Sequence, residues 1–332
     1  MYAFIVRRLL ATIPVLGMVA LFVFLMLRLT PGDPAAVLAG DNATYEQIEG
    51  IRIQLGLDRP IYEQLVVWVG KLLQGDLGQS FYFKKQVTEL IGLRVEPTLS
   101  LAVVTLLITI VIAVPLGVLA AYRHDSWIDR MVMGFSVLGF SVPIFVLGYL
   151  LIYLFAIKCL WIPPLLHEWF PETFSDRCRW FPVQGYKSIA DGFWPYLHRL
   201  ILPGFTLSVI YIALIARITR ASVLEVLGED YIRTAYAKGL TNRVVLMRHA
   251  LRNAAVPIIT IIGIGVALLI GGVVVTESVY NIPGLGRLTV DAVLGRDYPT
   301  IQAVVLVFSF VYVLINLLID LAYTVLDPRI RY

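Results

Sequence analysis

Charge is scarce in this chain of 332 residues: only 15% of them are Asp, Glu, Lys or Arg, against about 25% in soluble domains. Cysteine is scarcer still. Cys159 and Cys178 are the only two, which excludes a disulfide-stapled scaffold, and no Cys/His spacing resembles a zinc site. The four histidines, His124, His167, His198 and His249, are scattered along the chain. No G-x-S-x-G or H-E-x-x-H run accompanies them, so neither a nucleophile elbow nor a zinc-protease helix is present. Lys71 follows Gly70 without the upstream glycine and downstream Ser or Thr of a phosphate loop, so ATP is not bound by that route. Neither a catalytic set nor a metal site is expected.

What the chain has in abundance is apolar residues, 59% of the total, with a mean hydropathy of +0.81. Soluble domains hold about 45–50%, so this is a chain solvated by lipid. A membrane helix needs roughly 20 mostly apolar residues, because its backbone must satisfy its own hydrogen bonds across the hydrocarbon. Uncharged runs of this kind cover Leu9–Leu27, Thr98–Ala121, Met131–Ile157, Leu200–Ala216, Asn253–Thr276 and Tyr298–Ile319. They predict six spans in an all-α membrane fold. The first run follows Arg7 and Arg8, as the apolar core of a cleaved signal peptide would. It is longer than such a core, however, and Pro31, Gly32 and Pro34 read as a helix stop, so an uncleaved span is expected.

Lys and Arg in short loops set orientation. With both termini inside, Arg7, Arg8, Arg123, Arg130, the loop from Arg217 to Arg252, Arg329 and Arg331 lie in the cytoplasm. The far side then receives Arg287 and Arg296, offset by Glu277, Asp291 and Asp297, and two long segments, Pro31–Pro97 and Lys158–Arg199. The first is too long for a simple connector. Ile61, Leu65, Val69 and Leu72 recur in it at helical spacing, predicting a short amphipathic helix that lies on the membrane or against other spans. The spans hold no ionisable residue at mid-depth apart from Asp320 at a membrane edge, where ion-coupled carriers usually place such groups. They do hold Pro14, Gly17, Pro115, Gly117, Gly139, Pro143, Gly148, Gly263, Gly265, Gly271 and Gly272, which suit closely packed and kinked helices.

The densest positive charge falls in EDYIRTAYAKGLTNRVVLMRHALRNAAVP, residues 229–257, with Arg233, Lys238, Arg243, Arg248, His249 and Arg252 interleaved among Ile232, Ala235, Leu240, Val244, Val245 and Leu251. Lys-Gly-Leu offers a helix end and a turn. The pattern predicts a short helix, a glycine turn and a second helix leading into a span. Nucleic-acid binding would need a soluble fold around this segment, and there is none. Attraction to anionic lipid headgroups and docking of a cytoplasmic partner both remain.

This segment resembles the cytoplasmic loop of permeases of binding-protein-dependent ABC transporters, whose pattern runs Glu-Ala-Ala, three residues, Gly, nine residues, Ile-x-Leu-Pro. Ala235 holds the last Ala place, Gly239 the Gly, His249 the Ile and Leu251 the Leu; Arg233, Thr234 and Arg252 depart from it. The departures are similar to the oligopeptide, dipeptide and nickel subfamily. RLTPGDPA, LGLDRPIYEQ, GDLGQS, PLGVLAA, NIPGLGRL, GRDYP and LDPRIRY also resemble that subfamily, in order from residue 28 to the C-terminus.

The resemblance implies a type I importer permease of the bacterial inner membrane. Residues 1–97 would form the first span plus an external segment, and 98–325 the permease domain with its coupling loop at 217–252. It implies a second homologous permease subunit, two cytoplasmic ATPases carrying the ATP and magnesium, and a periplasmic binding protein. Membrane lipid would surround the chain, with no nucleic acid and no cofactor in the chain itself. Arg233, Thr234, Ala235, Lys238, Gly239, His249 and Leu251 would form the ATPase-coupling site. Cargo would be a peptide or related small solute, with glutathione and nickel within the subfamily's range. A non-transporting scaffold or sensor subunit and an ATP-independent carrier are the alternatives. Cys159 and Cys178 both fall on the external side, where thiols oxidise; a bridge between them and two free thiols are both open.

Overall fold

A computed structural model describes residues 2–29, 34–39, 43–54, 56–157 and 181–326. Cys159 and Cys178, His167, Arg329 and Arg331 lie outside them. The described residues form helices joined by turns: α1 Tyr2–Leu29, α2 Pro34–Ala39, α3 Tyr45–Gln54, α4 Ile61–Leu73, α5 Val87–Tyr122, α6 Trp127–Ser141 and α7 Ile144–Ile157. Then follow α8 Phe193–Leu227, α9 Asp230–Ala237, α10 at 242–253, α11 Ala255–Tyr280, α12 Leu285–Leu294 and α13 Tyr298–Leu326. Five of them are long and apolar enough to cross a membrane, and the bent pair α6 and α7 makes a sixth if counted as one span.

The six expected spans correspond to five unbroken helices and one bent pair, which makes the sixth when it is counted as one span. The run Met131–Ile157, expected to cross as a single helix, bends by 105° between Ser141 and Ile144. The cause is local. Pro143 has no N–H to continue the ladder and its ring drives Val142 into extended backbone, at φ −93° and ψ 121°. The fourth span is longer than its uncharged run, because α8 continues through Arg217 and Arg220. Glu277, expected in an external loop, instead lies in the last turns of α11. It is fully buried and accepts a hydrogen bond of 2.6 Å from the Thr98 hydroxyl. A carboxylate with hydroxyl partners is tolerated where an unsatisfied one is not, and a hydropathy window does not see such partners.

The chain divides into two compact units, residues 1–96 with 284–314, and 97–283 with 315–332. In the first, Val87, Leu90 and Ile91 of α5 pack with Leu285 and Leu288 of α12 and Ala303 and Val304 of α13. The amphipathic helix expected around Ile61–Leu72 is α4, and its Trp68 ring lies 5.5 Å from that of Phe24 in α1. Gln302 of α13 donates to the Val23 carbonyl at 2.9 Å. Asp297, just before α13, is fully buried and accepts from the Ser80 and Thr300 hydroxyls and the Phe81 N–H. One carboxylate thus ties the turn at 76–87 to the first turn of α13.

In the second unit α6 and α11 pack along α8, and α7 crosses both α8 and α11. The approach is close where glycines face it. A Cβ on Gly117 would meet Thr219 at 2.5 Å, one on Gly139 would meet Ala213 at 3.0 Å, and one on Gly148 would meet Val279 at 3.1 Å. Small residues allow this in a bilayer, where helices gain by packing rather than by escaping water. Tyr280, the last residue of α11, ties that helix to α8 and α7: its hydroxyl pairs with Thr206 at 2.7 Å and donates to the Gly148 carbonyl.

Candidate functional site

The charged segment forms a compact knob. In α9, Ile232 and Ala235 are three residues apart and share one face, and both are buried. They join Val245, Leu246 and Ala250 of α10, Val223 of α8, Ala121 of α5, and Ala254 and Ile258 at the start of α11 in a single apolar cluster. Asn242 ties the knob to the end of α5 by donating to the Tyr122 hydroxyl at 2.9 Å. Between the two helices the chain turns at Gly239, whose φ of +80° is one that residues with a side chain rarely adopt. Leu240 N–H bonds the Ala235 carbonyl and Gly239 N–H the Tyr236 carbonyl. That is the Schellman pattern, which satisfies the last carbonyls of the helix and needs a left-handed residue at this position.

The opposite face of the knob is open. Arg233, Thr234, Lys238 and Gly239 are exposed, and Tyr231 and Tyr236 are each 41% exposed and Met247 57%. Arg233 reaches only its own neighbour Asp230, at 3.3 Å across a fully solvated gap. His249 is half-buried, its carbonyl accepting from Asn253. Leu251 packs against the edge of the apolar cluster. The seven residues expected to form the coupling site are therefore held on one knob but divided between its faces: Ala235 turns inward and Arg233, Thr234, Lys238 and Gly239 outward. The two tyrosines were not singled out in the sequence. Their spacing about the buried Ile232 and Ala235, with charge interleaved, was the available signal.

Nearby, Arg220 of α8 clasps Asp129 of α6 through two guanidinium nitrogens, the second at 2.6 Å. His124, Asp125 and Asp129 offer ligand atoms within 4.8 Å of one another. Both Asp129 oxygens, however, already face that guanidinium, so the place a metal ion would take is held by a cation of the chain itself. The knob has no nucleophile, acid–base pair or phosphate cradle; its exposed cations, aromatic rings and glycine turn are the parts of a docking surface.

A family model described as the binding-protein-dependent transport system inner membrane component matches residues 113–332, and a companion model for the N-terminal part of such components matches residues 1–102. The chain belongs to this family. The permease is 52% identical over 332 residues, all of both chains, to a probable peptide ABC transporter permease protein of Sinorhizobium fredii. Over the same full lengths it is 41% identical to the glutathione transport system permease protein of Escherichia coli strain K12. Among solved structures it is similar to the inward-facing MetNI methionine ABC transporter, with a TM-score of 0.54 at 18% identity, over 72% of this chain and 96% of that one. That likeness establishes the ABC importer permease fold. The permease is a multi-pass inner-membrane subunit of a binding-protein-dependent ABC importer. ATP hydrolysis belongs to a separate ATPase, a binding protein serves the system, and permeases of this family carry no cofactor in the chain.

Proposed function

We propose that this permease imports peptides or a peptide-like solute such as glutathione, as one of two different permease subunits driven by two cytoplasmic ATPases. The relatives named above are described as a peptide and a glutathione permease and match along the whole chain, which supports that cargo class. Both termini face the cytoplasm in this reading, as the exposed Arg123 and Arg130 and the knob favour. Residues 1–97 supply the first span and a periplasmic segment, and 98–325 the permease domain with its coupling loop.

The observation that carries the mechanism is the two-faced knob. Its inner face is fixed to α5, α8 and α11 through the apolar cluster. A push or pull on its outer face therefore moves three membrane helices together rather than deforming a loop. An ATPase that grips Tyr231, Tyr236 and the Gly239 turn would turn closure of its nucleotide sites into rigid-body motion of the permease. Arg233 and Lys238 add solvated contacts of small weight.

Uptake by proteoliposomes holding both permeases, the ATPases and the binding protein tests this reading. Labelled dipeptide, longer peptide or glutathione should accumulate only with ATP and the binding protein. Accumulation by this chain alone without ATP, or failure of all three solutes, would contradict it.

A further inference from the structure

The break between α6 and α7 lies near the centre of an uncharged run of membrane length, Met131–Ile157. Its depth follows from Gly139, which faces Val209 and Ala213 midway along α8, while Gly148 beyond the break faces Thr206 of α8 and Val279 and Tyr280 at the end of α11. Pro143 removes the donor that the Gly139 carbonyl would have met, and Val142 N–H returns to Leu138. Among the described residues no N–H or O–H donates to the carbonyls of Phe140 and Ser141 either. The Ser141 hydroxyl bonds backward to Val137 at 2.9 Å, leaving its own carbonyl free. Phe140, Ser141 and Pro143 are exposed on the surface of the chain.

Open carbonyls at this depth are not compatible with lipid. Each one left without a donor in hydrocarbon costs several kcal/mol, and irregular backbone occurs there only against protein or beside a water-filled cavity. The end of a helix also carries the negative pole of its dipole. Interrupted membrane helices place such ends where polar solutes pass. We infer that the α6–α7 break lines the solute pathway of this permease. There the carbonyls of the exposed residues Phe140 and Ser141 accept hydrogen bonds from the ammonium and amide N–H groups of the passing solute. This site rests on the peptide reading above for its ligand, but its exposure to water does not. The chemistry is selective in kind: a solute rich in N–H donors gains contacts there, and one presenting only carboxylates is repelled by the same dipoles.

The test uses the complete transporter, with Cys159 and Cys178 replaced by serine and Ser141→Cys introduced. A cationic, membrane-impermeant methanethiosulfonate reagent should modify the new thiol, and saturating transported peptide should slow that reaction. A thiol that stays unmodified with and without ATP would overturn the inference, as would modification at a rate the peptide does not change. Pro143→Ala provides an independent arm, since it lets the helix run on and the Ile144 N–H then takes the Phe140 carbonyl. Initial uptake should fall about tenfold, the scale of one lost hydrogen bond in the pathway, and unchanged uptake would count against the inference. If wild-type transporter moves no peptide while Ser141→Cys is still modified, the cargo reading fails and the water-exposed break stands.

Discussion

Arg220 and Asp129 are 91 residues apart and meet as a two-point clasp between α8 and α6, with the Asp129 side chain 4% exposed and that of Arg220 19%. Asp125 adds its own N–H to the same carboxylate at 3.1 Å. Ser126 caps α6 beside it. The pair therefore fixes the first turn of α6 against the part of α8 that leads into the knob.

Removing one partner strands the other charge. Asp129→Ala should destabilise the permease by about 3 kcal/mol, the lower end for a broken buried pair because Arg220 keeps some contact with water. Asp129→Leu combined with Arg220→Met should recover most of that loss. Thermal unfolding of the detergent-solubilised transporter measures both; equal loss in the single and double variants would show that the clasp does not act as a pair.

The two faces of the knob separate by mutation. Ala235→Asp places a charge inside the apolar cluster and should lower the yield of folded permease, at a cost of about 3 kcal/mol or more. Tyr236→Ala removes a ring that is 41% exposed and should leave folding within about 0.5 kcal/mol of the original, while reducing the ATPase recovered with the permease. Size-exclusion profiles and ATPase-to-permease ratios after purification check both. If Ala235→Asp folds normally and loses only the ATPase, the inward placement of Ala235 is wrong.

Asp297 gathers two hydroxyls and one N–H. Asp297→Ala leaves two buried hydroxyls and the part-buried Phe81 N–H without their acceptor, which should destabilise the first unit by about 3 kcal/mol. Amide hydrogen exchange should rise in residues 76–87 before it rises in α8. Simultaneous loosening of both regions would contradict the division into two units.

Much of this was legible in the sequence. The uncharged runs located the spans because lipid solvation acts on composition over about 20 residues. Lys-Gly-Leu located the turn because its geometry needs a residue without a side chain. What was not legible depended on partners distant in sequence. Nothing around Asp129 points to Arg220, and nothing around Glu277 points to Thr98, so the first drew no reading and the second read as external. The inward turn of Ala235 follows from where α5, α8 and α11 come together, which no local pattern encodes. Pro143 was visible as a kink, but the size of the bend, 105°, is not encoded by a proline alone.

Gly239 gives the sharpest measurement of whether an ATPase grips the outer face of the knob. A Cβ there would meet nothing within 4 Å in this chain, although φ is +80°. A side chain should cost only about 1 kcal/mol of backbone strain and then project from the surface. Gly239→Trp should insert, fold and assemble with the second permease, yet lose the ATPase on co-purification and abolish uptake. ATPase recovered at the normal ratio with uptake intact would contradict the account and leave the knob as a lipid-facing surface.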